Sequence, residues 1–149
     1  MVMMAAAACS RADPERIPEI LSERGVVLSG PGARRVFQQC SRPAPQDVQA
    51  LWTPTPADVA ALEAALPAFV AGRPDRPDGL IAAYTRQYVG YVAAGRRMIY
   101  VNGFRHAPAR GDAWRHAPAV TCGGGRGEFG AVYDVEDGVF VNYEHNGGA

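Results

Sequence analysis

The sequence predicts an α+β domain: a curved antiparallel sheet of four to six strands packed on one main helix over residues 56–71, preceded by a shorter helix over 14–24. Three observations carry this expectation. A capped apolar period of three to four residues spans Thr55 to Gly72, the period falls to two from residue 80 onward, and two pairs of alternating segments are joined by glycine-containing turns. At 149 residues the chain has the length of one ordinary core. The domain is therefore placed at 13–149, with residues 1–12 read as the remnant of a signal or a disordered N-terminus.

Taken in order, "DPERIPEILSER" opens with Asp13 as N-cap and Pro14 at the first helical position, and Ile17, Ile20 and Leu21 share one helical face. Gly25 is the expected stop. Two short extended runs, 26–29 and 34–40, follow around a Gly-Pro-Gly turn, and "SRPAP" reads as a stiff connector. In the main helix Thr55 caps, Pro56 takes the first position and Asp58 adds negative charge to the first turn. Val59, Leu62, Leu66, Phe69 and Val70 form its apolar face, while Pro67 cannot donate to the Glu63 carbonyl and is expected to kink the helix or end it early.

The alternating segments follow. "YTRQYVGYV" and "RRMIYVNGF" flank Ala93-Ala94-Gly95, and "EFGAVYDV" and "VFVNYEHN" flank Glu136-Asp137-Gly138, each with the signature of a hairpin. Phe129, Ala131 and Tyr133 are expected on one face, as are Val139, Val141 and Tyr143. A short run at 118–122 offers a further strand between the hairpins. Gly90, Gly103 and Gly130 lie inside strands, where glycine commonly marks bulges or bends.

Charge narrows the function classes. Fifteen arginines balance fifteen acidic residues, so there is no basic excess of the kind that nucleic acid or an acidic membrane surface requires. Lysine is absent, which removes Schiff-base chemistry and a P-loop from consideration. No run approaches the roughly 18 apolar residues of a spanning helix.

Few constellations suggest chemistry. In the first hairpin Tyr84, Arg86 and Tyr88 alternate on one face, and the partner strand carries Tyr100. Both faces of this hairpin are partly apolar. Either the strands are central and covered on both sides, or a face bearing Tyr84, Arg86, Tyr88 and Tyr100 binds a partner, since Tyr and Arg are favoured at binding hot spots. "CGGGRGEFG" raises a phosphate cradle or a Cys122 nucleophile served by His116, His145 or Glu128, against a plain flexible loop. His106, His116 and His145 match no zinc spacing, so no metal and no cofactor is expected.

The cysteines are Cys9, Cys40 and Cys122, an odd number. In a cytosolic chain with Met1 as its true start, all three are reduced. The run Ala6-Ala7-Ala8-Cys9-Ser10 resembles the lipobox of bacterial lipoproteins, in which the cysteine becomes lipidated. That resemblance implies export, a membrane tether through Cys9, and Cys40 and Cys122 left over as an even pair open to bridging.

From Cys40 onward, "QQCSRPAP", "LWTPT", "LEAAL", "RQYVGYV", "IYVNGF", "VTCGGG" and "FGAVYD" resemble a family of small bacterial exported or lipoprotein-like domains. The resemblance implies an exported context, periplasmic or tethered to the outer membrane, with Cys40 and Cys122 inside matched motifs. It implies no activity. The helix-and-meander order is also similar to cystatin-like α+β rolls, a fold that hosts inhibitors, binding modules and enzymes alike. The expected function is a non-enzymatic exported module that binds a protein or cell-envelope ligand. The alternatives are a Cys122 hydrolase or transferase and a structural homodimer that pairs through the first hairpin.

Overall fold

The computed structural model describes residues 20–105 and 111–148. The chain forms an α+β fold with an open mixed sheet and one main helix. Strands β1 (Ile20–Ser22), β2 (Gly25–Val27), β3 (Ala50–Trp52), β4 (Tyr84–Ala93), β5 (Arg96–Arg105), β6 (Glu128–Asp134) and β7 (Val139–His145) accompany α1 (Pro56–Ala71). Six strands run in the order β1-β2-β4-β5-β6-β7, and β3 pairs with β4 beside β2. The β2–β4 pair is parallel, which corrects the expected all-antiparallel sheet.

The helix forms as its sequence dictates. Thr55 and Asp58 close a reciprocal capping box, and Val59, Leu62, Leu66 and Val70 are buried on the sheet. Pro67 does not end it, because Leu66 and Val70 on either side are anchored in the core, at 1% and 6% exposure. This burial offsets the roughly 3 kcal/mol that an interior proline costs.

The two hairpins also form. Ala94 and Gly95 both take positive φ, 49° and 72°, which makes the two-residue turn whose twist suits adjoining strands. In the second hairpin Asp134 Oδ1 accepts from the amides of Glu136 and Asp137, and Gly138 N donates to the Asp134 carbonyl.

Three local expectations are corrected. The helix predicted over 14–24 gives way to strand β1 and a turn at its C-terminal end, and its first residues lie outside those described. Val26 and Val27 need burial on opposite sides of a sheet, which the β2–β4 pairing supplies. The run at 34–40 is not extended: Pro31–Phe37 is a 3₁₀ segment that buries Ala33 and Val36 at its own three-residue spacing, with Phe37 beside them, and leaves Arg34 and Arg35 exposed. No strand forms at 118–122, because β5 pairs directly with β6.

The strand glycines mark close approach in place of bulges. A Cβ on Gly103 would lie 2.2 Å from the Phe129 ring, and one on Gly130 would lie 2.3 Å from the Tyr100 hydroxyl. The bulge sits in β7, where Val132 pairs with Asn142 but Tyr133 pairs with Phe140, leaving Val141 as the extra residue. Phe140 thereby joins Tyr143 on the helix side, and the expected alignment of Val139, Val141 and Tyr143 is broken.

Each sheet face carries its own core. On one, α1 covers Tyr84, Tyr88, Ile99, Val101, Phe129, Ala131 and Tyr133. On the other, the 3₁₀ segment and the chain around Trp114 cover Val89, Tyr91, Tyr100, Phe104 and Val132.

Candidate functional site

The four residues expected to form a binding face do not share one. In the β4–β5 register Tyr100 sits opposite Val89, so it lies on the face away from Tyr84, Arg86 and Tyr88. Tyr84, Tyr88 and Tyr100 are all at most 2% exposed.

Arg86 is committed to holding the helix. Its Nε donates to Glu63 Oε1 (2.7 Å) and its Nη2 to Glu63 Oε2 (2.8 Å), while Nη1 donates to the carbonyls of Ile81 (3.1 Å) and Tyr84 (2.9 Å). The Tyr88 hydroxyl donates to the same Glu63 carboxylate. Burial, reinforced by the Glu63 charge, pushes the Tyr88 phenol well above its usual range. Burial opposes the Arg86 charge, but the Glu63 hydrogen bonds and charge outweigh it and hold the guanidinium above its ordinary value. This clamp joins α1 to β4. Its acidic member, Glu63, occupies an inward helix position that looks like ordinary solvent-facing chemistry in the sequence.

The opposite face holds a buried polar centre that sequence reading missed. Arg42, 7% exposed, donates through Nε to the Tyr100 hydroxyl (3.0 Å), through Nη1 to Asn146 Oδ1 (2.8 Å) and through Nη2 to Asn102 Oδ1 (2.5 Å). Asn102 Nδ2 donates to Gln87 Oε1 and to the Ala119 carbonyl, and Gln87 Nε2 donates to the carbonyls of Trp114 and Ala117. Asn146 Nδ2 donates to the carbonyls of Thr121 and Gly123. Side-chain amides thus supply the partners that residues 114–123 lack for want of a strand. The available signal was polar: Gln87 and Asn102 sit between apolar and aromatic residues on that face, Gln87 beside Val89 and Asn102 between Tyr100 and Phe104.

Cys40 and Cys122 form a disulfide closing a separation of 82 residues. Cys122 therefore presents no thiolate, and the Cys122 nucleophile is corrected. His116 is exposed after a 3₁₀ turn, and His145 Nδ1 lies 2.7 Å from the Asn146 carbonyl. His106 and the lipidation candidate Cys9 lie outside the described residues. The glycine loop spends its amides internally: Gly123 N donates to Ser41 Oγ, Gly125 N to the Gly147 carbonyl and Gly127 N to the Gly124 carbonyl. It is a seam, and the phosphate cradle has no free donors of that set. Among the described residues no group of His, Cys, Asp and Glu is placed to hold a metal, and no helix is long and apolar enough to cross a membrane.

Two margins of the sheet carry no further strand among the described residues, at β1 and at β7. β4 is flanked on its outer side by β2 and β3, and β5 and β6 have strands on both sides, whereas β7 has a neighbour on one side only among the described residues. The first hairpin is therefore internal, which removes it as the pairing edge of a homodimer. Beside β7 lies a cleft of about 310 Å³ between residues 43–47 and the floor formed by Met98, Val132 and Val141. Val139 and Val141 are 48% and 54% exposed, two of the four large apolar side chains that stand out among the described residues. The sheet margin offers one contact surface, and no family model, curated protein or solved structure matches the chain.

Proposed function

We propose that the protein is a non-enzymatic exported binding module whose recognition surface is the β7 margin and the adjoining cleft. The open edge strand with exposed Val139 and Val141 carries this reading. It replaces the buried tyrosine face as the place of contact with a protein or cell-envelope ligand. Support for export comes from the Cys40–Cys122 disulfide, since such bonds persist in oxidising compartments. A lipid tether at Cys9 belongs to the same reading.

Two measurements test it. A photo-crosslinking residue at position 141 is expected to capture an envelope component, and one at position 64 on the outer face of α1 is not. Equal capture at both positions, or at neither, overturns the surface. Fractionation is expected to recover the protein outside the cytosol with Cys40 and Cys122 oxidised. Cytosolic recovery with free thiols overturns export.

A further inference from the structure

We propose that the Cys40–Cys122 disulfide is an exchange site for a dithiol reductant, and that its reduction releases the chain covering the Tyr100 face while the α1 layer stays folded. Nothing in this device requires a ligand at β7.

The bond is placed for attack. Both cysteines are exposed, and Cys122 lines a cleft of about 450 Å³ together with Trp114, Pro118 and Val120. Exchange requires a thiolate to reach a disulfide sulfur, so access from this cleft assigns Cys122 as the sulfur attacked. Ser41 favours departure of the other one. Its Oγ accepts from Gly123 N at 2.7 Å, which leaves the hydroxyl proton for Cys40 Sγ, 3.8 Å away. A hydrogen bond to the departing thiolate stabilises it.

The step balances as ordinary exchange. One reductant thiolate bonds to Cys122 Sγ as the Cys40–Cys122 bond breaks, and Cys40 leaves as a thiolate that takes up a proton. The reductant's second thiolate then attacks its own bridged sulfur, and Cys122 departs and is protonated. Two electrons pass: the protein gains two thiols and the dithiol becomes a disulfide.

The cover depends on this tether as the helix layer does not. Residues 117–124 contain no helix or strand. Gln87 and Asn102 reach the carbonyls of residues 114, 117 and 119, Asn146 reaches those of 121 and 123, and Ala119 N donates to Gln87 Oε1. The disulfide joins this stretch to the chain at 40–42, which is anchored by the Arg42 bonds and by Gly147 N donating to the Ser41 carbonyl. Cutting the bond returns conformational freedom to both segments at once, against hydrogen bonds of small net worth. Helix α1 keeps its own backbone ladder and buries Val59, Leu62, Leu66 and Val70 on the opposite face. Segments poor in ladder bonds open first.

Dithiothreitol is the probe. The full chain is treated in native buffer, its free thiols are alkylated and mapped by mass, and its backbone amides are followed by NMR. Reduction is expected at a rate proportional to dithiol and unchanged by urea below the unfolding transition. In the reduced chain the resonances of residues 117–123 are expected to move to unstructured positions, and those of 56–71 to keep their folded ones. Oxidised dithiothreitol is expected to reverse the change. The Cys40→Ser, Cys122→Ser double variant is expected to show the released spectrum without reductant and no response to it. With the monothiol glutathione, the trapped adduct is expected on Cys122.

Reduction that occurs only in unfolding urea overturns the proposal, because the bond is then a sealed structural staple. So does loss of the α1 resonances together with those of the cover, or a reduced chain in which 117–123 keep their folded positions. A double variant that still responds to dithiol places the change elsewhere and overturns it as well. An adduct confined to Cys40 overturns the assigned direction of attack.

Discussion

Replacing Arg42 by methionine isolates the buried polar centre, because it removes one cation while keeping most of the side-chain volume. The guanidinium serves Tyr100, Asn102 and Asn146 at 3.0, 2.5 and 2.8 Å. Its loss leaves two buried amide oxygens without this donor, while the Tyr100 hydroxyl keeps its own proton to donate. Each orphaned acceptor costs about 2 kcal/mol, and no longer burying a charge returns part of that sum, so the net loss is about 3 kcal/mol. With an m-value of about 2 kcal/mol/M, the urea midpoint falls by about 1.5 M. Asn146→Ala removes the same Arg42 bond from its other end. The two changes together are therefore expected to cost at least about 1 kcal/mol less than the sum of the singles. Additivity within about 0.5 kcal/mol, or a loss for Arg42→Met below about 1 kcal/mol, would refute the view that Arg42 organises this face.

Three further outcomes follow from the same structure. Glu63→Gln weakens the clamp on Arg86 and Tyr88 and is expected to cost about 2 kcal/mol, less than for a fully buried pair because Glu63 is 31% exposed; thermal unfolding coupled to Arg86→Met in a double-mutant cycle measures it. Reduction of Cys40–Cys122 is expected to lower stability by about 4–5 kcal/mol through the freed 82-residue separation, read as the urea midpoint of the Cys40→Ser, Cys122→Ser double variant. Burial opposes the Asp134 charge, but the amides of Asp137 and Glu136 and the Arg96 guanidinium outweigh it and hold its carboxyl below the usual range. A depressed folded value means that the carboxylate's contribution is full above the unfolded value of about 4 and fades as pH falls through the folded one. The stability gap between wild type and Asp134→Asn is accordingly expected to be constant from about pH 7 to 5 and to close below about pH 4; a gap unchanged at pH 3 contradicts the assignment.

Much of the architecture was legible in local chemistry. The capping box of Thr55 and Asp58 and the glycine turns at 95 and 138 identify α1 and both hairpins. Register was legible too, once the first turn is centred on Ala94 and Gly95. That puts Ala93 opposite Arg96, and counting outward puts Tyr100 opposite Val89, which separates it from Tyr88. The run at 26–29 was legible as extended but its pairing was not, and the 3₁₀ segment at 31–37 was not legible, because these apolar residues are satisfied by non-local partners. Val26 needs β4, sixty residues on in the chain, and Val36 needs the Tyr91 side of the same sheet. Arg42, Asn102 and Asn146 escaped for a related reason: each looks like loop or surface chemistry until the chain brings the three together.

The two faces of the sheet answer differently to sequence change. Beneath α1 the layer is closed by a helix that satisfies its own backbone, so exchange of one aliphatic residue for another of similar volume leaves its hydrogen bonding untouched. Over Tyr100 the covering chain has no such autonomy. The carbonyls of residues 114, 117, 119, 121 and 123 depend on three amide side chains at fixed positions in β4, β5 and just beyond β7. Drift is thus open to the helix layer and closed to Gln87, Asn102 and Asn146, where even aspartate or glutamate would turn a donor into an acceptor facing a carbonyl.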